Sequence, residues 1–273
     1  LAVLCVIAVW KTSSMISFSD IWNAGPVSTP ITIPMGVAAV VGSFAVGVTM
    51  VGDFSRFSKS KRDCIIGVSI GHCWGYIPIL MCGAFFNYAF HNWNIVEIMI
   101  LSLGLGLFGA LVLIIGQWTT NDNNLYTSVL GLMNTLDGIS KVPRMRLTLI
   151  VGLISTAIAA VGLYKYFVTF LSLLGVFITP IGGILIADFY ICNRKNYDGG
   201  DVPQGIKWDA IVSWAVASFV GVTMTARPVG LGWFVAVGDV IPVPLICIAV
   251  AMVLYVVSQK LQNRKLQNKA GAV

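Results

Sequence analysis

Long apolar runs separated by short polar turns set the pattern of this chain. After an apolar stub at residues 1–10 come seven runs, at about 33–52, 64–86, 105–131, 147–163, 167–189, 209–227 and 239–258. Each is close to the roughly 20 mostly apolar residues that a helix needs to cross a bilayer. A stretch at 94–104 is apolar but too short to cross alone. The fourth and fifth runs are joined only by Leu163-Tyr164-Lys165-Tyr166, which predicts a tight helical hairpin. The pattern predicts an all-α polytopic membrane protein with about seven full transmembrane helices plus an N-terminal helix stub. Residues 1–258 form the transmembrane domain and 259–273 a basic cytoplasmic tail, expected to be solvated and mobile.

Composition sharpens this picture. Of 273 residues, 57% are apolar and 10% charged, and the mean hydropathy is +0.88; soluble domains carry about 25% charged residues. The net charge of +6 does not point to nucleic acid, because the basic residues sit in short loops. With the stub running outward, the inner loops hold Arg56, Lys59, Lys61 and Arg62, then Lys141, Arg144 and Arg146, then Arg194, Lys195 and Lys207; the tail adds Lys260, Arg264, Lys265 and Lys269. Only Lys11, Lys165 and Arg227 of the 17 Lys and Arg residues fall elsewhere. Basic loops stay cytoplasmic, so the C-terminus is expected there, with the protein in the cell inner membrane. The chain opens inside an apolar run without methionine, which predicts a C-terminal piece of something longer.

Two outer aromatic clusters, Phe85–Trp93 and Trp233-Phe234, read as interfacial belts. The six cysteines show no metal spacing and read as small core hydrophobes. Of the two histidines, His72 reads as a core residue and His91 lies in an outer loop. Clustered acid–base groups, a nucleophile triad and a phosphate loop are all missing from the sequence, so no enzyme and no cofactor is expected.

Chemistry concentrates at three interruptions. In the first full span, Gly42-Ser43-Phe44-Ala45-Val46-Gly47 places two glycines around a Ser-Phe pair. Broken helices supply backbone groups to substrates in transporters, whereas small residues also simply let helices approach; both readings stay open. In the third span, Gly116-Gln117-Trp118-Thr119-Thr120-Asn121-Asp122-Asn123-Asn124 sets a polar tract into an apolar helix. Gly116, Thr119 and Thr120 are spaced i, i+3, i+4 and share a face, offering a carbonyl and two hydroxyls to a small hard cation. Threonines back-bonded to their own helix are the equal alternative. Asn121, one position around, can present its amide to a ligand. Asp122 is either a protonatable relay or a structural residue paired with neighbouring helices, the structural role being favoured. In the fifth span, Pro180 with Gly182-Gly183 predicts a kink, either a gating hinge or static. Asp188 and Asp53 are expected in salt bridges with nearby basic residues, Asn193-Arg194-Lys195 following the first and Arg56 the second.

Trp118-Thr119-Thr120-Asn121-Asp122-Asn123-Asn124-Leu125-Tyr126 resembles the segment found in the cytosine permeases of the bacterial nucleobase–cation symporter family. Gly42-Ser43-Phe44 followed by Asp53-Phe54-Ser55-Arg56-Phe57, and Pro180-Ile181-Gly182-Gly183 through Ala187-Asp188-Phe189-Tyr190, resemble two further signatures. The resemblance implies a partial leucine-transporter-type inverted-repeat fold, with the stub as the end of the fifth helix and the seven spans as helices six to twelve. It implies sodium-coupled import of cytosine by alternating access. Ser43 would give backbone contacts, Phe44 would stack on the base and Asn121 would hydrogen-bond it, while Gly116, Thr119 and Thr120 would hold the coupling ion, Na+ or alternatively H+. Gly116 stands where asparagine is expected and Val46 where serine is expected. The first and third helices of the scheme are missing, so this chain alone is not expected to transport. The alternatives are a permease for a purine, a hydantoin or allantoin, and a non-transporting membrane subunit.

Overall fold

The computed structural model describes residues 2–17, 19–20, 23, 25, 32–92, 94–135, 141–162, 166–192 and 206–270. The helices are α1 (Ala2–Ser13), α2 (Ile33–Phe44), α3 (Gly47–Ser55), α4 (Lys61–Ile70), α5 (Ile77–Phe90), α6 (Gly106–Thr135), α7 (Arg144–Ala160), α8 (Phe167–Phe177), α9 (Thr179–Ala187), α10 (Trp208–Met224) and α11 (Val243–Ala270). A helix therefore stands at every predicted span, and no strand occurs among the described residues. Among the described residues, four stretches are long and apolar enough to cross a membrane: Ile33–Asp53, Lys61–Phe90, Thr169–Cys192 and Val243–Arg264. The chain is an all-α polytopic membrane protein. α6 has the length, at 30 residues, but the tract Gln117–Asn124 interrupts its apolar character. The hairpin connection predicted at 163–166 lies, apart from Tyr166, outside the described residues, as do Arg194, Lys195, Trp93 and the side chains of Cys5 and His72.

The chain divides into two compact units, residues 1–30 with 55–161, and residues 31–54 with 162–273. In the first, Phe85 and Phe86 are buried with Ala8, Ile98, Met99 and Leu103. For Phe85 and Phe86 this corrects the reading of a membrane belt over 85–93. The apolar segment 95–102, a short helix Ile95–Glu97 followed by a wide π turn at Ile98–Ser102, folds over these rings and gives them a protein environment. Lys11 donates to the Leu103 carbonyl in the same region. Trp233 and Phe234, in the second unit, are more than half exposed, as belt residues would be.

The second unit is held by close backbone crossings at glycine. Without a hydrophobic drive between helices in lipid, small residues that admit close approach become the packing device. A Cβ on Gly42 of α2 would strike the Leu171 carbonyl of α8, and one on Gly175 would lie 3.4 Å from the Gly42 Cα. Gly183 of α9 abuts the backbone of Ile248 in α11, and Gly221 of α10 abuts Cys247 and Val176. Around these crossings lie Ile184, Ala187, Ala217, Ala251 and Tyr255.

Pro180 makes the predicted kink at the α8–α9 junction. Proline has no N–H, and the turn switches to tighter bonds, with Ile181 N–H donating to Ile178 O at 3.1 Å. Phe177 O is thereby released and accepts the Trp214 indole N–H at 2.7 Å, while the Thr179 hydroxyl donates to Gly175 O at 2.6 Å. Both Thr179 and Pro180 are buried, and the Phe177 carbonyl freed by the bend is satisfied by the indole.

Candidate functional site

The first element is the interruption at 42–47. α2 ends at Phe44, Ala45 and Val46 form a turn, and α3 begins at Gly47. Three-residue bonds replace helical ones here: Ala45 N–H to Gly42 O at 3.3 Å and Val48 N–H to Ala45 O at 3.1 Å. The sequence left a broken helix and close packing as alternatives, and the structure contains both, because Gly42 is at once the last buried crossing point and the start of the break. The Ser43 hydroxyl donates to Val40 O at 2.7 Å. Phe44 is 44% exposed, with its ring lying over Gly47 where any Cβ would displace it. The bare α-carbon of Gly47 is what admits the ring at this turn.

The second element is the polar tract of α6, in the other unit. The helix runs unbroken from Gly106 to Thr135. Gly116 lies ten residues in, about 15 Å along the axis, and the polar tract that follows it occupies the middle of the helix. The Thr119 hydroxyl donates to Gly116 O at 3.1 Å. Back-bonding is therefore realised at Thr119, through the very carbonyl expected to bind a cation. The hydroxyl and the carbonyl oxygen thus lie 3.1 Å apart on an exposed stretch of α6. Thr120 has no hydrogen-bond partner for its hydroxyl among the described residues, and neither does the Asn121 amide. Both are exposed.

Asn121 follows Thr120 by roughly 100° and Thr119 by roughly 200°, so it projects from a different side of α6 from Thr119, with Thr120 between them. Asn121 lines a groove with Ile114, Gln117, Trp118, Asp122 and Leu125. Gln117 and Trp118 were not singled out as ligands from the sequence, although their i, i+4 and i, i+3 spacing to Asn121 is the signal that finds them. Asp122 forms no ion pair among the described residues, which corrects the expectation that neighbouring helices pair with it. The described residues contain no cluster of His, Cys, Asp or Glu able to hold a transition metal.

Asp188 is buried at the end of α9. It accepts from the Tyr255 hydroxyl at 2.5 Å and pairs with Lys207 at 3.4 Å. A salt bridge was expected here, and its described partner is Lys207 from the start of α10. This is the one ion pair among the described residues; Arg56 instead donates to the Tyr126 hydroxyl at 2.7 Å. Gln259 extends the Asp188 cluster, donating to Asp209 and, at 3.3 Å, to Tyr255 Oη.

Comparison with known proteins fits these elements. The profile of the permeases for cytosine/purines, uracil, thiamine and allantoin matches residues 2–248. The cytosine permease of Escherichia coli K12 is 32% identical over 216 residues, covering 78% of this chain and 50% of that protein. The cytosine permeases of E. coli O6:H1 and O157:H7 give the same figures. The chain thus spans about half the length of the curated relatives it matches. A profile match along most of its length, joined to a helix break and a mid-helix polar tract in an all-α membrane protein, means that the chain belongs to this family of cytosine/purine, uracil, thiamine and allantoin permeases.

Proposed function

We propose that this chain forms part of a nucleobase permease that imports cytosine, or a closely related heterocycle, by sodium symport across the cell inner membrane, with its C-terminus in the cytoplasm. The observation that carries the reading is the tract on α6: a hydroxyl and an amide near the middle of a 30-residue helix, without partners among the described residues, beside a carbonyl–hydroxyl pair 3.1 Å apart; a helix of that length reaches across a bilayer and puts them at mid-depth. Unpartnered polar groups at such depth are costly and mark a ligand pathway by default. In this reading Gly116 O, Thr119 and Thr120 supply oxygens to Na+, Asn121 hydrogen-bonds the base, Phe44 stacks on it and Ser43 contributes backbone contacts. The helix scheme is the leucine-transporter type, in which the family's ligands bind beside broken helices. Coupling then follows from linkage, since each ligand raises the other's affinity by the same factor.

Uptake of labelled cytosine by a transport-competent form of the protein tests this. Asn121→Ala is expected to lose uptake by 100-fold or more at unchanged expression, on the order of the 3 kcal/mol lost when a buried polar partner is removed; wild-type uptake would remove Asn121 from the site. Thr120→Ala is expected to raise the sodium concentration for half-maximal uptake. Unchanged sodium dependence would transfer the coupling to protons. Competition by unlabelled cytosine, purines, hydantoins and allantoin identifies the base, and the unpartnered amide of Asn121, both donor and acceptor, favours one presenting an amino-pyrimidine edge.

A further inference from the structure

We propose that the first unit carries a binding site for the phosphate of an anionic phospholipid, built on Arg56, Tyr126 and Arg144. Arg56 follows α3, Tyr126 lies on α6 and Arg144 opens α7, yet all three meet. The Arg56 guanidinium donates to the Tyr126 hydroxyl at 2.7 Å, and the Arg144 guanidinium lies over the same ring, 4.4 Å from its centre. Neither arginine has an acidic partner among the described residues. Lys59, Lys61, Arg62, Lys141 and Arg146 add exposed positive charge to the same two loops. Of the acids near Arg56 in sequence, Asp63 is engaged with Ser60 in capping α4, and Asp53 forms no ion pair among the described residues.

The start of α7 makes the imbalance worse. Arg144 and Arg146 occupy the first turn of a 17-residue helix with no acidic residue there, and its N-cap, Pro143, offers no side-chain acceptor. Cations at the positive end of a helix dipole are unfavourable, and free N–H groups at such an end attract anions. Two like charges at one phenol and one uncapped helix start are relieved by a single phosphate. A lipid is the fitting source because each loop also shows a large apolar side chain to its surroundings: Phe57 is 75% exposed with Arg56 stacked 4.8 Å from its ring centre, and Met145, between Arg144 and Arg146, is 74% exposed. Headgroup phosphate meets the arginines and acyl chain meets Phe57 and Met145, as at basic pockets between membrane helices.

The test uses the full chain purified in neutral detergent and titrated with phosphatidylglycerol, with phosphatidylcholine, or with inorganic phosphate. Retained lipid is read by native mass spectrometry and thermal midpoint by tryptophan fluorescence. Phosphatidylglycerol is expected to be retained and to raise the midpoint. Arg56→Gln and Arg144→Gln should each weaken its apparent affinity about fivefold, the factor corresponding to about 1 kcal/mol per basic residue near an anionic surface. Lys260→Gln, in the tail, should leave it unchanged. Should either glutamine variant fail to fold, Tyr126→Phe, which removes only the hydroxyl held by Arg56, should still show a smaller loss. Equal retention of phosphatidylcholine, equal stabilisation by inorganic phosphate, or wild-type affinity in the double arginine variant would overturn the proposal.

Discussion

Replacing Gly183 by alanine is expected to lower the stability of the chain by about 2 kcal/mol, within the range for overpacking a tight site. The added methyl meets backbone, not a movable side chain: the carbonyl carbon and Cα of Ile248 both lie 3.2 Å from where it would sit. Relief requires α9 and α11 to separate, and that crossing is surrounded by Ile184, Ala187 and Ala251. Gly183→Val should be worse and leave little folded protein. Gly131→Ala is the matched control, because nothing lies within 4 Å of its absent Cβ. Alanine there should be neutral or stabilise by up to about 1 kcal/mol through helix propensity. Unfolding midpoints in detergent for the two variants decide the matter: equal shifts would mean that the close crossing does not hold the second unit together.

The other large effect is expected at Asp188. Asp188→Ala leaves the Tyr255 hydroxyl, on a fully buried side chain, without its acceptor. An unsatisfied buried donor costs about 1–3 kcal/mol. The lysine adds less, because its side chain is 36% exposed and its ammonium can turn to water, so the ion pair counts near the surface value of at most about 1 kcal/mol. A total of about 3 kcal/mol follows. Asp188→Asn retains an acceptor for Tyr255 and should lose about 1 kcal/mol. Tyr255→Phe on the Asp188→Ala background should then cost almost nothing more, since the two changes remove one interaction. A stability of Asp188→Ala within about 0.5 kcal/mol of wild type, the scatter of surface substitutions, would show that the cluster does not stabilise the fold.

Much of the architecture was legible because lipid imposes length and apolarity on every crossing segment. The runs at 33–52 and 239–258 became α2–α3 and α11, and the glycines at 42 and 47 marked the interruption where it occurs. The tract at 116–124 was legible for the complementary reason, since polar groups there contradict the rest of the helix. Partner choice was not legible. Hydropathy cannot distinguish a ring facing lipid from one facing protein, so Phe85 and Phe86 read as belt residues and are core. Asp188 was expected to pair with Arg194 or Lys195, which lie outside the described residues; its described partner, Lys207, is 19 residues on, and spacing along the chain does not point to it. The split of the α6 residues between two faces was implicit in the 3.6-residue period, while the bond from Thr119 to Gly116 O depends on a rotamer that spacing leaves free.

One consequence concerns α11. It continues without a break through the basic tail to Ala270, where a mobile segment was expected, giving 28 residues in one rod. At about 1.5 Å per residue that is about 42 Å, some 12 Å more than the hydrocarbon slab it traverses. With its N-terminal end at one face of the slab, roughly eight residues thus project as a stiff lever beyond the other, with Arg264 on its surface. A dye placed near residue 264 would swing with the whole rod, so distances from it to a fixed point outside the membrane would report changes in helix tilt that a floppy terminus would blur away.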